Sequence, residues 1–315
     1  MPGTAGAENP SGIKMKIIEC VPNFSEGCDQ GKIAAIAAVF ASFAGVRLVN
    51  FSGDADHNRS VFTLFGKPGD VLAAALAAAG HALELIDMRR HAGVHPRLGA
   101  VDVVPFIPLA ASRMKDAVDI AHCFGKEFNR RFGVPVYFYG AAALIPQRRE
   151  LADVRRGGYE TLGKKMSLPE HAPDVGNPVF KARSGATAVG ARMPLVAYNI
   201  NLASADLLLA QKIAAQIREK NGGLKHVRAI GVMLKSRGIA QVSINLINYQ
   251  ETPLKAIYDR VQLLAAEFGV EILESELIGL IPQGAFAGTK PEYLKLKDYD
   301  ENCLLETHLK KLFLS

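Results

Sequence analysis

Apolar and polar positions alternate with two periods along this chain, and the changes of period mark its elements. Residues 16–21, 46–51, 60–65, 100–107 and 134–139 are short apolar runs bounded by turn residues, which predicts strands. Residues 30–43, 70–85 and 113–131 repeat apolar side chains at helical spacing. In 70–85 the stripe is Val71, Leu72, Ala75, Leu76 and Ala79. The polar residues 52–59 read as a turn between two of the strands.

Residues 140–192 interrupt this order. They are rich in basic residues and glycine, with Pro169, Pro173 and Pro178 close together, which predicts a connector or a binding segment. From Pro194 the pattern restarts: strand 195–200, helix 204–218, strands 227–233 and 240–246, helix 253–268, strand 270–273. That β-α-β-β-α-β order is the split βαβ, or ferredoxin-like, arrangement. The chain up to the strand at Ala100 repeats it. The expected fold is therefore α/β of the α+β type, with two similar lobes, helices on one face of each sheet and a ligand site between the lobes. The expected divisions are a flexible tail over 1–13, an N-terminal subdomain over 14–193 and a C-terminal subdomain over 194–315.

Composition narrows the class. A chain of 315 residues, 49% of them hydrophobic, can build one large core or two ordinary ones. No apolar run approaches the roughly 20 residues that span a bilayer, and the first residues lack the basic-then-apolar order of a secretory signal. No membrane association is expected. Cys20, Cys28, Cys123 and Cys303 are scattered without a CxxC pair, which favours free thiols in a reducing cytoplasm. The net charge of +6 suits a polyanionic partner, but no RNP-type aromatic motif is present. A small, multiply anionic substrate accounts for it as well as RNA does, and no nucleic acid is expected.

The densest candidate chemistry lies in 86–108, IDMRRHAGVHPRLGAVDVVPFIP. Gly93 and Pro96 argue against a helix, and Pro96 restricts His95 to an extended backbone. A lone histidine there would read as an ordinary surface group. With His91, Arg97 and Asp102 beside it, His95 is well placed to move protons near neutral pH. The stretch 53–60, GDADHNRS, holds Asp54, Asp56, His57, Asn58 and Arg59, more polar chemistry than a hairpin turn needs. ECVPNFSEG, 19–27, reads either as a capped strand-to-helix turn or as a binding loop containing Asn23. In 173–192, Gly176, Gly185 and Gly190 would let a ligand approach the backbone, and Lys181, Arg183 and Arg192 supply positive charge. A flexible linker is the plainer reading of that last stretch.

Other classes are less well supported. His91 and His95 would align for zinc only on a helix, which Gly93 and Pro96 oppose, so no metal is expected. A metal-dependent amidohydrolase would have to draw on Asp54, Asp56, His57, His91 and His95. A non-enzymatic RNA-binding module would suit the fold, but aromatics are only 7% and tryptophan is absent. No GxxxxGK[ST], GxSxG or HExxH occurs.

ECVPNFSEG, DHNRSVFT, IDMRRHAGVHPRLGAVDVVPFIP, VPVYFYG, AYNINL and ELIGLIP together resemble the glutamate formimidoyltransferase (formiminotransferase) family, from about Lys16 to Pro282. The resemblance implies transfer of a formimino group from N-formimino-L-glutamate to tetrahydrofolate, or its polyglutamates, in histidine degradation. It implies that His95 is the catalytic histidine. It places folate binding on Gly176, Asn177, Pro178, Val179, Phe180, Lys181, Ala182, Arg183, Ser184 and Gly185. Here the chain departs from the animal form, with Lys181, Ala182 and Arg183 in place of valine, proline and serine, and Ser184 in place of tryptophan. The resemblance further implies a homodimer, and a separate cyclodeaminase acting on the product. Formyl transfer, with N-formylglutamate or 5-formyltetrahydrofolate as donor, is the narrower alternative. Asn23, Asp54, Asp56, His57, Asn58, Arg59, Arg97 and Asp102 are candidates on chemistry alone: the carboxylates to orient the histidine, Arg59 and Arg97 to hold substrate carboxylates.

Overall fold

A computed structural model describes residues 15–55, 57–93 and 96–313 of the chain. It separates into two compact units, Met1–Arg192 and Met193–Ser315.

The first unit opens with β1 (Lys16–Cys20) and the two-residue β2 (Asn23–Phe24), which lie end to end between two longer strands. Then follow α1 (Gln30–Ala41), β3 (Val46–Asp54), β4 (Arg59–Gly66), α2 (Pro68–Leu85), β5 (Val101–Ala110), α3 (Met114–Phe132) and β6 (Val136–Gly140). The connection onward holds two short helices, α4 (Leu151–Val154) and α5 (Gly158–Met166), and β7 (Thr187–Ala191). Across the sheet the order is β3, β4, the β1/β2 pair, β5, β7, β6. β3, β4, β1/β2 and β5 pair antiparallel, the split βαβ order expected from the sequence. β7 then adds parallel to β5 (Val104↔Val189) and β6 parallel to β7 (Phe138↔Val189).

β5 is a buried central strand that contains Pro105 and Pro108, where proline is normally excluded because it cannot donate to the ladder. The neighbouring strand is itself broken opposite Pro105. β1 ends at the pair Cys20↔Phe106, and β2 resumes at Asn23↔Val103. The missing donor thus falls at an interruption. Val21 N still donates to Pro105 O across it at 3.2 Å.

Strand alternation sends Ile18, Cys20, Val104, Phe106, Phe138 and Val189 to the face covered by α1, α2 and α3. The opposite face is also partly covered. Val103, Tyr137, Tyr139 and Ala188 pack there with Leu162 and Met166 of α5 and Leu151 and Val154 of α4. The stretch expected to be a connector or a binding segment therefore also supplies a strand to the sheet and a second packed layer. β7 reads TAVGA and is buried at every position, so neither alternation nor large side chains announce it.

The second unit repeats the pattern with β8 (Val196–Leu202), α6 (Leu207–Ile217), β9 (Val227–Leu234), β10 (Ile239–Leu246), α7 (Leu254–Glu267) and β11 (Ile272–Ile278), followed by α8 (Leu305–Phe313). Its sheet runs β11, β8, β10, β9, all antiparallel. Its core joins Tyr198, Ile200, Val242 and Ile244 to Ile213, Ile217, Ile257 and Val261. The AYNINL and ELIGLIP strands, β8 and β11, also share a polar cluster. Asn201 Nδ2 donates to Glu274 Oε1 at 3.0 Å and Glu276 Oε1 at 2.8 Å, and Arg237 pairs with Glu274 at 2.6 Å.

Candidate functional site

The polar segments singled out in the sequence meet in the first unit at the ends of β1/β2, β4 and β5. Asn58 joins three of them. Its backbone is left-handed (φ 47°), which asparagine tolerates better than most residues. Its Oδ1 accepts from Gly27 N at 2.9 Å and its Nδ2 donates to Ala92 O at 2.8 Å. These contacts leave no room for side chains on two glycines. A Cβ on Gly27 would lie 2.1 Å from Asp54 O, and one on Gly93 2.5 Å from His57 O.

His91 is committed at both ring nitrogens. Arg97 Nε donates to Nδ1 at 2.9 Å. Nδ1 must then be the acceptor, so Nε2 carries the hydrogen and donates to Asn58 O, also at 2.9 Å. Burial, chiefly, holds the His91 pKa below its ordinary value. A neutral imidazole with both nitrogens engaged has no lone pair left for catalysis. Arg97 is committed in turn: its Nη2 pairs with Glu160 Oε1 at 2.7 Å, and its guanidinium lies over the Tyr159 ring. His57 Nδ1 pairs with Asp54 Oδ2 at 2.8 Å, while His57 N donates to Asp54 Oδ1. Asp56 and His95 lie outside the described residues.

Asp102, buried on β5, is the centre of a second cluster. Its Oδ1 accepts from Leu98 N at 2.8 Å. Its Oδ2 accepts from Arg59 Nη1 at 2.7 Å and from Arg155 Nη2 at 2.5 Å. Arg59 also reaches Asn23 Oδ1 through Nε (3.0 Å) and Nη2 (2.5 Å). Burial first, and then the neighbouring Arg155 charge, lower Arg59 to about 10 despite the opposing Asp102 carboxylate. Further along β1, burial pushes Glu19 up to about 7 against the opposing charge of Arg192. Arg192 also donates to the Tyr139 hydroxyl.

The glycine-rich stretch is sewn onto the histidine loop. Met88 N donates to Arg183 O and Ala100 N to Ser184 O, both at 2.9 Å, and Arg183 Nη2 donates to Glu84 O. Gly185 has φ +66°, and a Cβ there would lie 2.1 Å from Leu98 O. The Tyr159 hydroxyl donates to Ala182 O at 2.5 Å, and Tyr159 N donates to Arg97 O at 2.7 Å. Gly176, Asn177, Pro178, Val179, Phe180, Lys181 and Ala182 are exposed, and Phe180 stands 5.4 Å from the Tyr159 ring. A backbone pinned at one end thus presents an exposed phenylalanine ring, an exposed valine and a lysine. No group of three or more metal-ligating side chains occurs among the described residues.

Arg155, Tyr159 and Glu160 were not among the residues expected from the sequence. Arg155 sits in the basic run 148–156, but only the fold brings it to Asp102.

Two family models cover the chain, the N-terminal subdomain of the formiminotransferase domain over residues 17–192 and the formiminotransferase domain over 197–314. The chain belongs to the formiminotransferase family. It is 43% identical to the glutamate formimidoyltransferase of Streptococcus pyogenes over 93% of this chain and 99% of that protein. It is 40% identical to the enzyme of that name from Thermoplasma acidophilum, over 94% and 98%. It is 44% identical to the formimidoyltransferase-cyclodeaminase of Gallus gallus, over 89% of this chain and 53% of that protein. The chain thus spans nearly the full length of the two single-activity relatives and about half of the bifunctional one. Among the described residues, no helix is long and apolar enough to cross a membrane.

Proposed function

We propose that this protein is a glutamate formimidoyltransferase, moving the formimino group of N-formimino-L-glutamate to N5 of tetrahydrofolate. Its products are 5-formiminotetrahydrofolate and L-glutamate. The observation that carries this reading is the family match across both units, with 43% identity to a relative of that name over nearly its whole length.

The chemistry is acyl-like transfer at an amidine carbon. N5 attacks that carbon and forms the new N–C bond. The tetrahedral intermediate then breaks its bond to the glutamate nitrogen, which leaves with a proton. One imidazole serves both steps, taking the proton from N5 and returning one to the departing nitrogen; an ordinary histidine pKa near 6.5 suits both near neutral pH. We assign that role to His95. The engagement of both His91 nitrogens supports the choice between the two histidines of the loop. We assign the folate to the stretch Gly176–Gly185. The exposed Phe180 and the half-buried Tyr159 offer ring surface where the animal tryptophan is replaced by Ser184. Tetrahydrofolate is a co-substrate in this scheme, and no metal takes part.

A cytoplasmic homodimer is the assembly we infer. All four cysteines are free thiols, in keeping with a reducing compartment.

The test is a transfer assay with purified protein, quenched in acid so that 5-formiminotetrahydrofolate converts to the absorbing methenyl form. A signal that requires both substrates supports the reading. Absence of signal with formiminoglutamate, together with turnover of N-formylglutamate, would replace the donor.

A further inference from the structure

We propose that Arg183 and Lys181 are positioning residues: they hold the folate stretch against the C-terminal ends of α2 and α3, and they do not take the carboxylates of the folate's glutamate tail. This rests on the assignment of folate to Gly176–Gly185 above. By charge alone both residues would suit an anionic ligand. The structure directs each of them to a different helix end.

Arg183 is seated on α2. Its Nη2 donates to Glu84 O at 2.8 Å, in the last turn of that helix. If α2 continued, the amide four residues on, Met88 N, would fill that carbonyl. Met88 N instead donates to Arg183 O at 2.9 Å. Arg183 thus satisfies both halves of the bond that α2 gives up on ending, the carbonyl with its side chain and the amide with its backbone. α2 has no basic residue in its own last turn. Arg183 supplies the cation that the negative end of the helix dipole favours.

Lys181 is seated on α3. That helix closes on Gly133 in a left-handed cap, φ 65°. Lys181 Nζ lies 3.1 Å from the place that a Cβ on Gly133 would take. The two arginines of the last turn, Arg130 and Arg131, both pair with Glu127. Lys181 therefore brings its charge to a helix end whose own cations are engaged. Gly176 rests on the same turn, where a Cβ would fall 2.3 Å from Asn129 Nδ2. Gly185 N donates to Lys181 O at 2.6 Å and closes a single turn of chain between the two anchors.

The Arg183 charge also acts on Asp87, whose carboxyl is held below its usual range first by the Arg89 hydrogen bond and last by Arg183. Both cations of the stretch are thus answered by the protein's own carbonyls and carboxylate. What the stretch offers outward is ring and backbone. Phe180 lies along α5, where a Cβ on Gly163 would come within 3.3 Å of its ring. Such a surface suits the flat rings of a folate better than its charged tail.

The test uses the whole protein and three acceptors with different tails: tetrahydropteroate, which has no glutamate, tetrahydrofolate, which has one, and tetrahydropteroyltriglutamate. Arg183→Gln and Lys181→Gln should each raise KM by about fivefold, the size of a charge at a helix end, and by the same factor for all three acceptors. KM for formiminoglutamate should stay within about twofold, and Arg183→Lys should recover most of the loss. Thermal melts establish that each variant is folded. If Arg183→Gln does not fold, Lys181→Gln and Arg183→Lys carry the comparison. A loss that grows from tetrahydropteroate to the triglutamate would mean that these side chains bind the tail, and overturns the proposal. An unchanged KM for every acceptor overturns it as well. Lack of turnover by the unaltered protein would overturn the transferase reading instead, so the two failures are distinct.

Discussion

Arg97 donates its Nε hydrogen to His91 Nδ1 at 2.9 Å, and this bond occupies the one ring lone pair that a neutral His91 has to offer. An arginine has no acceptor to offer, so the imidazole must present its lone pair to it. Protonating His91 would break the bond and place two cations in contact.

His95→Ala should therefore lower kcat about 10²–10⁴-fold, the usual contribution of a general acid–base group. The thermal midpoint should stay close to that of the unaltered protein. Near-normal turnover would remove His95 from the mechanism.

His91 gives a different prediction. Its folded-state pKa is held down, mainly by burial. Above its unfolded value, near 6.5, both states are neutral and pH has no effect through this group. As pH falls through 6.5 the unfolded chain takes up a proton before the native protein does, so stability falls. Thermal melts from pH 8 to 5 should show this slope, and it should be shallower in His91→Gln. Equal slopes would mean that His91 titrates normally.

Glu19 works in the opposite sense. Burial raises its pKa from the ordinary carboxylate range to about 7. The native state holds the proton more tightly than the unfolded chain between about pH 4.5 and 7, and this stabilisation is lost as pH rises through 7. Glu19→Gln should therefore melt higher than the unaltered protein at pH 8, with the difference shrinking toward pH 5. A constant difference across that range would contradict the shift.

Asn58 separates hydrogen bonding from backbone strain. Asn58→Gly keeps the left-handed conformation and loses two side-chain hydrogen bonds, each worth about 0.5–1.5 kcal/mol. Asn58→Ala loses the same bonds and adds about 1 kcal/mol for the positive φ. Denaturant titrations should rank Ala below Gly by that amount, the reverse of the usual helix or strand order.

Gly185→Ala tests the folate stretch. Its new Cβ would meet Leu98 O at 2.1 Å in a left-handed backbone, so the loop must move away from the strand entrance. KM for tetrahydrofolate should rise by an order of magnitude or more, with a smaller effect on the donor. A selective effect on the donor would shift the folate assignment elsewhere.

Local chemistry is what the sequence by itself determined. Short apolar runs bounded by turn residues located β1, β3, β4, β5 and β6, and apolar side chains at helical spacing located the helices between them. Gly93, Pro96, Asn58 and Gly185 declared irregular backbone by residue type alone, since few other side chains tolerate those conformations or close approaches. The resemblance carried by the HPRLGAVDVVPFIP string reached the family without any coordinates. Only the tertiary structure decided the rest. β7 was invisible because a strand of small residues buried on both faces has no period to read. Arg155 was one basic residue among several until parallel pairing of β7 beside β5, and packing of α4 and α5 on the opposite face, brought it 53 positions back to Asp102. The commitment of His91 to Arg97 and Asn58 likewise depends on distances between segments, which spacing along a chain does not encode.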